Sequence, residues 1–191
     1  TMLDLYLIRH AQAEINLRDE LVEGRQNESP LTEKGVTQAN LLGVRLKGNG
    51  VKFDTVYSSP AIRSLSTALL STRYVRYPHK KIIVCPDLQE LSQGDWEKKP
   101  RSEVYQLDKL AALHVDDKFN FKAPNGESQK EVEERMYSWI ERTLLVPNIR
   151  GPVAVYGHGN AFKCLLRRIL DHSPHMTHKV RIENTAITRL T

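Results

Sequence analysis

Arg9 and His10 end the short apolar run Leu5-Tyr6-Leu7-Ile8. A buried strand that delivers a guanidinium and an imidazole to its carboxyl end puts them where open α/β sheets bind ligands. Successive residues of a regular strand face opposite ways, so the two can serve one site only if the chain leaves the strand there. Three later segments carry matching groups. Ser58-Ser59-Pro60-Ala61-Ile62-Arg63 has the signals of a helix start, with Pro60 at the first helical position and Arg63 about one turn in. A cation near the positive end of a helix dipole costs ~0.3–1 kcal/mol when exposed, and an anion held between the two would offset that. Tyr156-Gly157-His158-Gly159 sets a histidine between two glycines at a strand-to-helix turn, where backbone approaches closely and helix N–H groups face an anion. Leu88-Gln89-Glu90-Leu91 offers a carboxyl flanked by leucines, suited to general acid work once partly buried. Together the groups fit phosphoryl transfer, which relies chiefly on positioning and electrostatic stabilisation.

Other motifs read more plainly. His172-Ser173-Pro174-His175-Met176-Thr177-His178 places a histidine at every third position, but Pro174 interrupts any helix and no cysteine adjoins, so it reads as a surface loop, not a metal site. His158 likewise has no Asp-x-His, His-x-His or carboxylate pair nearby to complete a metal shell. Arg73-Tyr74-Val75-Arg76-Tyr77-Pro78-His79-Lys80-Lys81 interleaves cations and aromatics as single-strand binders do. It falls at a helix end and the following loop, where cations are favoured for solvent and dipole reasons, and nucleic acid is disfavoured as a partner. Cys85 and Cys164 sit in apolar patterns and read as two reduced core thiols.

The 191 residues suit one domain, 1–191, and no apolar run approaches the roughly 18 residues that span a bilayer. Met2 is followed by Asp4 and a strand pattern, so no signal peptide is expected and the location is read as cytoplasmic. The net charge of +5 favours anionic partners without choosing among them.

Apolar strand-like runs alternate with amphipathic helical ones. Strands are expected at Leu3–Ile8, Thr55–Tyr57, Ile82–Cys85 and Val153–Tyr156, with a closing pair near Val180–Ile182 and Ala186–Leu190. Helices are expected at Glu33–Lys47, Pro60–Tyr74, Glu131–Leu145 and Ala161–Leu170. Thr32 is the N-cap of the first, and Ser128 with Glu131 makes a capping box for the third. Core stripes run through Val36, Ala39, Gly43 and Leu46, through Val132, Met136, Trp139, Ile140 and Leu144, and through Phe162, Leu165, Leu166 and Ile169. Lys163, Arg167 and Arg168 face away from the last. The fold class is α/β, a three-layer sandwich whose mostly parallel central sheet has one antiparallel edge strand and helices on its faces. The irregular stretch 98–126, with a helical piece over Ser102–Leu113, reads as an insertion that sets substrate choice.

Arg9-His10-Ala11 with Asn16, Ser29-Pro30-Leu31-Thr32 with Gly35, Ser58-Ser59-Pro60 with Arg63, Leu88 through Glu97, Pro124-Asn125-Gly126-Glu127-Ser128 and Gly157-His158-Gly159 follow one another in a fixed order. In that order they resemble the histidine phosphatase superfamily, the phosphoglycerate mutase-like fold, from Leu5 to about Leu190. The resemblance implies a histidine acid-type phosphatase. His10 would be the nucleophile, Glu90 the general acid and base, and Arg9, Arg63 and His158 the groups that hold phosphoryl oxygens; Asn16 and Gly159 would join Arg9, Arg63 and His158 in binding substrate. No metal and no cofactor are implied. The partner would be a small phosphorylated metabolite (sugar phosphate, α-ribazole phosphate or nucleotide) or a phosphoprotein; a homodimer is left open and no membrane is involved. Relatives of the mutase branch carry a Glu-Arg-His-Tyr-Gly block where this chain reads Glu90-Leu91-Ser92-Gln93-Gly94, which favours phosphatase over mutase. A binding module without turnover is the reading of a different class, and the full set of His10, Arg9, Arg63, Glu90 and His158 speaks against it. Ala11, Lys98 and Asn125 stand where such relatives often have glycine.

Overall fold

The computed structural model describes residues 3–106, 119–147, 149 and 151–191. Five strands, β1 (Asp4–Arg9), β2 (Thr55–Ser58), β3 (Ile83–Val84), β4 (Pro152–Gly157) and β5 (Ile187–Leu190), form one sheet in the order β3-β2-β4-β1-β5. All neighbours are parallel except β1 and β5, which pair antiparallel at the edge.

Strand alternation explains why both faces are covered. Leu5 and Leu7 of β1, with Val153 and Val155 of β4, enter one apolar cluster; Tyr6 and Ile8, with Ala154 and Tyr156, enter another. Residues one apart point to opposite faces, so the two clusters lie on opposite sides of the sheet. Helices α1 (Glu33–Gly48) and α2 (Ile62–Thr72) close one through Leu42, Leu46 and Ala68. Helices α4 (Gln129–Thr143) and α5 (Gly159–Ile169) close the other through Met136, Trp139, Phe162 and Leu165. The short α3 (Arg101–Val104) belongs to a third cluster, with Val22, Trp96 and Ala123, under the loops at the carboxyl edge of the sheet.

Both expected caps are present. Thr32 Oγ1 accepts from Gly35 N at 2.9 Å, and Ser128 Oγ accepts from Glu131 N at 3.1 Å while Glu131 Oε2 accepts from Ser128 N at 2.7 Å. Several expectations need correction. Val180–Ile182 is not a strand: Ile182 is buried, but the backbone there pairs with no strand, and its carbonyl serves Arg9 instead. Helix α2 begins at Ile62 with Ala61 as cap, so Pro60 lies ahead of the helix and Arg63 is its second residue. Val36 is exposed on α1, and Arg167, expected to face outward, is buried against Glu133. Of the piece expected over Ser102–Leu113, Arg101–Val104 is helical and positions from 107 onward lie outside the described residues.

The remaining motifs resolve as follows. Cys164 is buried, Cys85 is half-buried, and both are free; burial pushes the Cys164 thiol up to about 12. Tyr77 is spent inside the fold, its hydroxyl accepting from Val56 N and donating to Lys81 O, each at 3.2 Å, while Tyr74 is half-buried under the Arg73 guanidinium. His172, His175 and His178 are exposed, with the short helix α6 (Met176–Lys179) among them, and no group of three metal-ligating side chains occurs among the described residues. No described helix is long and apolar enough to cross a membrane.

Candidate active site

Strand register brings the sequence motifs to one level. Arg9 of β1 stands opposite Gly157 of β4, and Ser58 of β2 opposite Tyr156, so the chain leaves three adjacent strands at His10, Ser59 and His158. β1 ends at Arg9, and His10 is held beyond it by its own N–H, which donates to Gly157 O at 3.0 Å, and by Asn184 Nδ2, which donates to its carbonyl at 3.0 Å. That break from strand geometry lets Arg9 and His10 face the same cavity, of about 130 Å³, together with Asn16, Arg63 and Glu90. Ala11 is buried at an ordinary negative φ, so the absent glycine has no conformational consequence.

His10 has a defined tautomer. Its Nδ1 lies 2.7 Å from Ala11 O, which can only accept, so Nδ1 carries the proton and Nε2 carries the lone pair. Arg63 Nε donates to that lone pair at 3.3 Å. Burial, then the charges of Arg63 and Arg9, hold the His10 pKa well below the ordinary histidine value, so the ring is neutral.

Arg63 is the hub. Its Nη1 donates to Gln26 O at 2.7 Å and its Nη2 to Arg25 O at 3.1 Å, while Nη2 also reaches His158 Nδ1 at 3.3 Å. An arginine nitrogen can only donate, so His158 accepts at Nδ1 and donates from Nε2 to Ser59 Oγ at 2.8 Å. Burial, Arg63 and His10 keep this imidazole neutral too. His158 is the N-cap of α5, touches Arg63 and stands edge-on to the His10 ring with 5.2 Å between ring centroids. The Arg63 guanidinium, expected from sequence to meet an anion, is held by main-chain carbonyls and lines the cavity.

Arg9 Nη1 donates to Ile182 O at 2.6 Å, whereas its buried Nε has no partner. A Cβ on Gly159 would stand 3.4 Å from that nitrogen, so the glycine keeps the approach to it open. Asn16 Oδ1 caps Ala13 N at 3.0 Å. Glu90 takes the donors that the sequence reserved for an external anion. Its carboxylate accepts from Leu91 N at 2.8 Å, Asn160 N at 3.0 Å and Ala161 N at 2.9 Å, at the amino end of α5.

Two further carboxylates brace these groups. Glu97 accepts from Arg25 N and Gln93 N, both at 3.0 Å, and so holds the loop whose carbonyls clamp Arg63. Glu127 binds Arg25 at 2.6 Å and Arg135 at 3.0 Å; Arg25 Nε then donates to Glu90 O at 3.3 Å and Arg135 Nη1 to Gln89 O at 3.1 Å. The segment carrying Glu90 is thus tied from both sides. Glu23, Gln93, Arg101, Tyr105 and Asn160 also line the cavity and were not singled out from sequence. Asn160 had a local signal in its place at the start of the helix after Gly157-His158-Gly159, Gln93 lies in the Leu88–Glu97 block, and Arg101 and Tyr105 lie in the stretch 98–126 that was read as setting substrate choice.

Comparison with known proteins shows the family. The model of the histidine phosphatase superfamily (branch 1) matches residues 5–191. A protein of Proteus mirabilis (strain HI4320) named probable phosphoglycerate mutase GpmB is 30% identical over 190 residues, spanning 99% of this chain and 85% of the relative. The crystal structure of a putative alpha-ribazole-5'-P phosphatase from Escherichia coli matches with a TM-score of 0.82 at 26% identity, over 99% of this chain and 90% of that one. Phosphoserine phosphatase from Entamoeba histolytica, in complex with 3-phosphoglyceric acid, matches with a TM-score of 0.78 at 28% identity, over 98% and 90%. By the length of the family match and the fold it shares with these enzymes, the chain belongs to the histidine phosphatase superfamily, branch 1.

Proposed function

We propose that this chain is a phosphomonoesterase that needs no metal and passes the phosphoryl group through His10. The observation that carries the reading is the state of His10: buried, neutral, with Nδ1 committed to Ala11 O and the Nε2 lone pair directed at Arg63 beside the cavity. When a phosphate monoester enters, Arg63 Nε turns its donation from His10 Nε2 to a phosphoryl oxygen, and Arg9 Nε supplies a second donor. The exposed lone pair attacks phosphorus, the P–O bond to the alcohol breaks, and Glu90, protonated at that step, gives its proton to the leaving oxygen. Water then attacks the phosphohistidine and loses a proton to the Glu90 carboxylate; inorganic phosphate leaves and His10 is restored. His158 acts by holding Arg63 in place, and the fixed donors act on charge as it shifts to the phosphoryl oxygens.

Phosphoglycerate mutase is the second reading, favoured by the name of the Proteus mirabilis relative. Hydrolysis of p-nitrophenyl phosphate in EDTA by the protein and by its His10→Ala variant tests the first. Turnover that survives EDTA and disappears in the variant supports it; turnover by neither protein overturns it. Conversion of 3-phosphoglycerate to its 2-isomer without release of inorganic phosphate would establish the mutase instead.

A further inference from the structure

Glu23 is a carboxyl that binding a phosphoryl group does not explain. It lines the same cavity as His10 and Arg63, where a phosphoryl dianion would be repelled by a second negative charge. Its neighbours fix its place: Val22 N donates to Lys99 O at 2.8 Å, Lys98 N donates to Val22 O at 3.0 Å, and Gly24 O faces Arg63. The other carboxylates around the site are taken, Glu90 and Glu97 by backbone N–H groups and Glu127 by two guanidinium groups. Among the described residues Glu23 has no hydrogen-bond or ion-pair partner. The charges that face it are Arg101 from α3, Arg9 from β1, Glu90 from the loop before Leu91 and Arg63 from α2. Half-buried and unpaired, it carries a desolvation cost that a neutral hydroxyl offsets with one bond and a cation offsets with charge as well.

We propose that Glu23 makes this site selective for phosphate monoesters of alcohols that carry an ammonium group. The ammonium pairs with the Glu23 carboxylate while the phosphoryl group lies against Arg9, Arg63 and His10. Amino alcohols and hydroxy amino acids share this ammonium; the latter add a carboxylate within the charge range of Arg101. The inference rests on the phosphatase reading for turnover but not for binding, and binding is what tests it.

The experiment is calorimetric titration of the His10→Ala protein, which cannot form the phosphohistidine, with O-phosphoethanolamine, O-phosphoserine, glycerol phosphate and ethyl phosphate. The expected result is binding of O-phosphoethanolamine about tenfold tighter than ethyl phosphate, a preference that disappears when Glu23→Gln is added and is partly kept by Glu23→Asp. Tighter binding of O-phosphoserine, lost with Arg101→Met, assigns the amino acid; equal binding assigns the amino alcohol. The proposal is overturned if ethyl phosphate or glycerol phosphate binds as well as O-phosphoethanolamine, if Glu23→Gln strengthens all four ligands equally, or if none binds a protein with an unchanged melting temperature. Hydrolysis by the wild-type protein is measured separately, so that ammonium-selective binding without turnover upholds the role of Glu23 and rejects the phosphatase.

Discussion

Among the described residues two arginines are almost fully buried, Arg63 at 1% and Arg167 at 2% exposure, and their surroundings differ in kind. Arg167 is neutralised inside the fold: its guanidinium meets Glu133 at 2.7 Å, Gln129 and Thr177 at 2.9 Å each, and lies over the Phe119 ring. Arg63 touches carbonyls and two neutral imidazoles and forms no ion pair among the described residues. Burial lowers its pKa, and the Glu90 and Glu23 carboxylates oppose that from farther off. A charge already matched joins helices. A charge left unmatched beside a cavity is matched by the ligand that enters.

The largest expected effect lies on the unmatched side. Arg63→Met should lower kcat/KM for any phosphate monoester by about 10³–10⁵, the range seen when an arginine that stabilises phosphoryl transfer is removed. Its melting temperature should shift less than that of Arg167→Met, since no carboxylate is stranded and water from the cavity can reach the freed carbonyls. Arg167→Met leaves the half-buried Glu133 with only the more distant Arg168, at 3.8 Å, and should cost about 3 kcal/mol in denaturant unfolding, with kcat of the folded fraction nearly unchanged. Equal stability losses in the two variants would break the contrast.

Glu127 sharpens it, being a matched carboxylate that works on the unmatched site through Arg25 and Arg135. Glu127→Gln should loosen the segment carrying Glu90. The loss in kcat should be about tenfold for alkyl phosphates, whose leaving oxygen needs a proton, and small for p-nitrophenyl phosphate, whose phenolate does not. A uniform loss across leaving groups would assign Glu127 to stability alone.

The two imidazoles extend the contrast to pH. Both have pKa values held below the ordinary value, so below about pH 6.5 the unfolded chain binds protons that the native one refuses, and stability falls as pH falls. Each contributes at most about 1.4 kcal/mol per pH unit. Thermal melts between pH 7.5 and 5.5 should show a shallower acid slope for His158→Asn than for the wild type; an unchanged slope would mean that His158 is already charged when folded.

Much of this was legible in sequence, for physical reasons that also mark where legibility stopped. Alternation at Leu5-Tyr6-Leu7-Ile8 and the caps at Thr32 and Ser128 are local signals, and the sheet and its helices followed from them, whereas the gathering of Arg9, His10, Arg63 and His158 was read from their motifs and from the family resemblance. Arg167 was placed on the wrong face because periodicity ranks residue types and cannot see Glu133 arriving from another helix. Val180–Ile182 looked like a strand because burial of Ile182 leaves the same apolar trace as pairing does. Glu23 enters the cavity through loop geometry, which hydrophobic periodicity does not encode, whereas Arg101 lies on α3 inside the stretch 98–126 that the sequence marks without naming a residue.

The smallest expected effect concerns the loops that brace the site. Lys98 and Asn125, at positions where relatives often have glycine, hold φ of 67° and 58°, in the left-handed region. An L-residue with a Cβ pays about 1–2 kcal/mol there, and Asn less because its short side chain bonds locally. Asn125 is further held by a long-range bond, donating to Asp95 at 3.0 Å, whereas the side chain of Lys98 has an exposed ion pair with Glu28, which is worth little. Glycine at 98 relieves the steric strain but restores freedom to the unfolded chain, and the two effects nearly offset. Lys98→Gly should therefore raise stability by no more than about 1 kcal/mol, seen as a rise of about 2–4 °C in melting temperature at most. Asn125→Gly should do less. A loss of stability in Lys98→Gly larger than in Asn125→Gly would mean that the Lys98–Glu28 pair outweighs the backbone strain, and that this rim, like Arg167, is held by a matched charge.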